Sequence, residues 1–119
     1  MDASTRRLGT LLAGMGILHF AAPKPFDAII PESLPGTARS WTHLSGIAEL
    51  ALGAAVLNPS TRRLGALGAA GLFAAVFPAN VKMARDWKDK PGPMRAAARA
   101  RLPLQIPLIA WALWVARKP

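Results

Sequence analysis

The chain has 119 residues, no cysteine, a net charge of +9 and 52% hydrophobic residues. That length holds one domain, and the missing cysteines exclude a disulfide framework, a thiolate metal site and thiol–disulfide exchange by this chain. The basic residues lie in loops and at segment ends, not along one helix face with aromatics between them, so no nucleic-acid partner is expected.

The first apolar segment runs from Leu8 to Ala22 and, with the turn before it, predicts a helix over 5–22. Arg6 and Arg7, a short apolar run and "AAP" have the outline of a signal peptide. The cleavage pattern is loose and His19 interrupts the run, so the segment is expected to stay in the protein. Residues 23–40 follow, with Phe26, Ile29, Ile30 and Leu34 among prolines. That is too apolar for a free loop and reads as an interfacial segment over one mouth of the helices.

The second predicted helix covers 41–57 and contains "GIAELALGAA". Glu49 is its only ionisable residue between Leu44 and Leu57, and a carboxylate there must be paired, protonated or facing something wet. Gly46, Glu49 and Gly53 are spaced i, i+3, i+7 and share a helix face suited to close packing. Ser60–Gly65 then repeats Ser4–Gly9 letter for letter as "STRRLG". This reads either as convergence on a good helix start or as the mark of two parallel two-helix repeats; the same offset carries Glu49 onto Gln105. The third helix is expected over 62–83, with Pro78 and Asn80 near its end, and the fourth over 97–116, with Pro103, Gln105 and Pro107.

All four segments lack the polar residue every third or fourth position of an amphipathic helix, and Arg, Lys, Pro or Trp bounds each. The fold expected is all-α: a four-transmembrane-helix up-down-up-down bundle, one integral membrane domain over 1–119, multi-pass in the plasma membrane. Threaded that way, His19, His43, Glu49, Asn80 and Gln105 fall at a similar level and form a candidate ligand-binding polar layer. Glu49 there either specifies helix packing through His19 or Gln105, or meets a ligand. Two histidines without a supporting spacing motif do not make a haem or metal site, so no metal is assigned.

The stretches "GILHFAAPKPF", "IIPESLP", "SGIAELALGAAVL", "FPANVKM" and "RLPLQIPLIAW", in that order, resemble the DoxX and DoxX-like family of small four-helix membrane proteins. The matching positions are His19, Pro31, Gly46, Glu49, Pro78, Asn80, Pro103 and Gln105. The resemblance implies a four-helix transmembrane bundle associated with membrane redox or stress-related complexes; with the internal carboxylate, the amides and their apolar approach, the reading is an accessory or small-hydrophobe-binding subunit of such a complex, with a bound quinone or lipid and no intrinsic cofactor. It implies as partners membrane lipid, an oxidoreductase subunit or a second copy of the chain, with both termini cytoplasmic. Two other readings stand beside it: a membrane-embedded enzyme with Glu49 and His19 as an acid–base pair, and a small transporter or proton relay.

Overall fold

A computed structural model describes residues 1–118. Helix α1 (Ala3–Ala21) starts at Asp2, whose carboxylate accepts a 2.8 Å hydrogen bond from the Thr5 amide. It stops before Pro23, where the pre-proline position disfavours helix. One helical turn, α2 (Lys24–Asp27), follows, and the chain reverses through Gly36, whose φ of +82° suits a residue without Cβ. Thr37 caps α3 (Ala38–Leu57), its hydroxyl accepting from the Ser40 amide at 3.1 Å. Helices α4 (Arg62–Ala75) and α5 (Phe77–Asp86) continue one another through Val76, broken where Pro78 cannot donate a backbone hydrogen bond. Helix α6 (Gly92–Arg117) carries Pro103 and Pro107 inside it.

Helices α1 and α3 pack antiparallel and close, because glycines face one another along the seam. A Cβ on Gly53 would stand 2.9 Å from both the Ala13 amide nitrogen and the Gly9 carbonyl oxygen. One on Gly16 would stand 2.8 Å from the Gly46 carbonyl. Gly65 brings α4 against Ala55 and Val56 of α3 in the same way, and α6 covers α4. The buried core lies at one end of this array, where Leu8, Leu12, Val56, Ala66, Ala69, Ala112 and Val115 meet. Each large core side chain contributes about 1.5–3 kcal/mol by leaving water. Polar ties close that end: Trp111 Nε1 donates to Ser4 Oγ at 2.8 Å, and Lys118 pairs with Asp2. The opposite end holds the polar residues.

Several expectations are corrected here. Among the described residues, one helical run, Arg62–Asp86, is long and apolar enough to cross a membrane. Helices α1, α3 and α6 have the length, at 19, 20 and 26 residues, but none holds an 18-residue stretch apolar enough. The polar residues that complete each helix, such as Arg6 and Arg7 in α1 or Arg39, His43 and Glu49 in α3, lower its apolar content. The four-transmembrane-helix up-down-up-down bundle, the integral membrane role and the multi-pass plasma-membrane placement lose their basis with it. So does the pair of equivalent two-helix repeats, since α1 is one helix and its counterpart is the broken α4–α5. The "STRRLG" copies also start their helices differently. Ser4 lies inside α1 behind the Asp2 cap, whereas the Thr61 hydroxyl turns back to donate to the Ala55 carbonyl at 2.7 Å.

Apolar surface remains outside the core. Leu64 is 74% exposed and Ile106 73%, and Ile17, Leu44, Ile47 and Trp114 are exposed as well. A surface this rich in large apolar side chains exceeds what a monomer in water usually leaves bare.

Candidate functional site

At the end opposite the core, the last two turns of α1, the middle and first turns of α3, the α4–α5 junction and the first half of α6 surround a cavity of about 80 Å³. His19, Thr42, Ser45, Glu49, Asn80 and Arg101 supply its polar wall. Phe26, Ile29 and Ile30, from the connection between α1 and α3, cover it. The space suits several waters or a small head group.

Helical register delivers these groups. Thr42, Ser45 and Glu49 stand at i, i+3, i+7 on α3, the face that Gly46 and Gly53 press toward α1. His19 follows Met15 by one turn. Its Nδ1 donates to the Met15 carbonyl at 2.6 Å and lies 3.5 Å from Glu49 Oε2. The imidazole ring stacks on Phe26, centroids 3.8 Å apart, which fixes its plane. Asn80 is 2% exposed and enters from α5, directly after the Pro78 break.

Two buried oxygens here lack hydrogen bonds: Glu49 Oε2 and Thr42 Oγ1, the latter on a residue with no exposure at all. Burial pushes the Glu49 carboxyl up to about 7, so below that pH the group is a neutral acid able to donate one hydrogen bond and accept others. Beside the cavity, Arg39 Nε pairs with Asp27 Oδ2 at 2.9 Å. The Thr42 hydroxyl comes near enough to hold the Asp27 carboxyl below its ordinary range, with Arg39 and His43 adding to the effect. That approach falls short of hydrogen-bond geometry, so Thr42 Oγ1 stays unpartnered.

The covering connection is tied down. Trp41 Nε1 donates to the Pro35 carbonyl at 2.6 Å, and Lys82 donates to the Ala28 carbonyl at 3.2 Å while pairing with Asp86.

Of the five residues expected to form a polar layer, the structure brings His19, Glu49 and Asn80 together around the cavity. His43 stacks on Phe20 with centroids 4.9 Å apart and does not line it. Gln105 is buried elsewhere, its side-chain amide donating to the Phe73 carbonyl next to the α4–α5 break. Among the described residues no three His, Asp or Glu side chains gather as metal ligands. Sequence reasoning missed Thr42, Ser45 and Arg101. The first two could have been found from their register with Glu49; no spacing in the sequence places Arg101 there.

In comparison with known proteins, the model of a domain of unknown function, DUF8561, matches residues 8–116. No curated protein and no solved structure matches. The match is to that family, so the DoxX resemblance is corrected, and the redox or stress-complex subunit inferred from it is withdrawn. The membrane-embedded enzyme and transporter readings fall with the four spans on which they stood.

Proposed function

Since the chain belongs to the DUF8561 family, whose function is unknown, we propose from its own geometry that it binds a small molecule, with the head group hydrogen-bonded to Glu49 in the polar cavity. One observation carries this reading. Glu49 Oε2 is buried without a hydrogen bond although an imidazole N–H stands 3.5 Å away, because that N–H is committed to the Met15 carbonyl. A carboxyl whose task was to lock α1 to α3 would take that proton. Leaving a buried acceptor unsatisfied costs about 1–3 kcal/mol, a cost a ligand hydrogen bond removes.

The pattern of satisfaction elsewhere supports the same reading. Gln105, Thr61 and Trp111 all have partners. Of the four buried side-chain polar atoms without one among the described residues, three, on Asp27, Thr42 and Glu49, lie at this end. Two of those atoms, on Thr42 and Glu49, belong to residues that line the cavity itself.

The test is mass spectrometry of small molecules released from purified wild-type protein and from Glu49→Leu. The expected result is a species held by the wild type and depleted about tenfold or more in the variant, a loss of about 1.4 kcal/mol of affinity or more, with helix content unchanged. Identical extracts from the two proteins would contradict the proposal.

A further inference from the structure

We infer that the ligand is an amphipathic carboxylate, its head against Arg101 in the polar cavity and its apolar body in the groove beside it. This rests on the polar cavity being the binding site and adds the chemistry of what it takes.

The groove is the first observation. It measures about 510 Å³, within the usual range for small-molecule pockets, and Leu34, Trp41, Leu44, Leu72 and Pro78 give it apolar walls. Ile30, Ser45, Val76 and Ala79 border both the groove and the polar cavity, so the two spaces are neighbours through one wall. Two of those four side chains are very small. Ile30 belongs to the covering connection, not to a packed helix, and the inference requires its side chain to change rotamer so that one molecule can span both spaces. A molecule spanning both has a polar end of a few atoms and a longer apolar end.

The charge of the head follows from Arg101. Its guanidinium offers five donors, and Nη1 reaches only the Met83 thioether at 3.3 Å, a weak acceptor. The nearby acids are engaged elsewhere: Asp27 with Arg39 and Asp86 with Lys82. No ion pair among the described residues includes Arg101. It is the one permanent charge on the cavity wall, because the Glu49 carboxyl is neutral below about 7. A carboxylate fits the guanidinium fork through two parallel hydrogen bonds. It also accepts from the Thr42 hydroxyl and from protonated Glu49. A cationic head would meet Arg101 as a like charge, and a neutral alcohol would leave most of its donors unused.

The experiment follows carboxyl-¹³C-labelled decanoate by NMR on the full chain, below the concentration at which decanoate forms micelles. Binding of about one equivalent, saturable, with a shifted carboxyl resonance, is expected. It should weaken about tenfold in Arg101→Gln, as expected for removal of one charged hydrogen-bonding partner, and by less in Arg101→Lys, which keeps the charge and loses the fork. Filling the groove with Ala48→Trp should weaken it as well. Displacement of decanoate by equimolar 1-decanol, a comparison that needs no variant, would overturn the carboxylate assignment and leave the cavity reading standing. Uptake without saturation, indifferent to Arg101→Gln and Ala48→Trp alike, would overturn both.

Discussion

His19 Nδ1 lies 3.5 Å from Glu49 Oε2 and donates its hydrogen bond to the Met15 carbonyl instead. That choice leaves a buried carboxyl whose charge is opposed by burial and not rescued by a hydrogen bond. Its consequences reach stability as well as binding.

Glu49 should make the fold pH-dependent. Its carboxyl sits at about 7 when folded, above the ordinary value of 4.5. The folded state therefore holds an extra proton between those values. The cost is absent below 4.5, grows as pH rises, and is complete above about 7. Glu49→Gln removes the titration while keeping size and hydrogen-bonding groups. The ligand-free variant should match wild type near pH 4.5 and exceed it by about 2–3 kcal/mol above pH 7, allowing for residual exposure. Denaturant unfolding at the two pH values checks this.

Gln105 should behave in the opposite way. Its amide meets the Phe73 carbonyl. Gln105→Leu leaves that carbonyl without the bond and should cost about 1–3 kcal/mol at any pH, with ligand retention unchanged. The same unfolding curves, paired with mass spectrometry of the bound fraction, separate this structural polar residue from Glu49.

The glycines divide by what surrounds them. Gly53→Ala pushes a methyl against backbone atoms of Ala13 and Gly9 at 2.9 Å and should destabilise by about 1–3 kcal/mol. Gly14 and Gly71 have nothing within 4 Å of a built Cβ, so Ala at either should stabilise its helix by about 0.5–1 kcal/mol. Thermal unfolding of the three variants would show the split, and a Gly53→Ala protein as stable as wild type would refute the close α1–α3 contact.

What the sequence disclosed depended on whether the signal was local. Glu49 stood alone in an apolar run and shared a register with Gly46 and Gly53, and helical periodicity placed all three on the face toward α1. Thr42 and Ser45 share that register but look ordinary, because each lies among other polar residues near the helix start. Arg101 was less accessible still. Its position at the cavity depends on how α6 crosses α5, and no residue spacing encodes that. Gln105 lies away from the cavity because its partner, the Phe73 carbonyl, stands just before the helix break at Val76. The membrane expectation rests on the apolar runs, but over the helices as they form only Arg62–Asp86, among the described residues, holds a stretch long and apolar enough to cross a membrane.

The apolar side chains outside the core give a prediction for the isolated chain. With Leu64 and Ile106 about three-quarters exposed and other large apolar side chains exposed on α1, α3 and α6, the chain alone in plain buffer should self-associate. Sedimentation over a concentration series checks this, and a single-chain species at all concentrations would count against it.

Glu49 as a neutral acid facing a ligand is the centre of the proposed function. The chain has two glutamates, Glu32 and Glu49, so side-chain carboxyl ¹³C labelling of glutamate gives two resonances, and Glu49→Gln identifies which is which. We expect the Glu49 resonance to titrate near pH 7 in the free protein and to move when decanoate is added. Titration near the ordinary value of 4.5, unchanged by decanoate, would contradict the account.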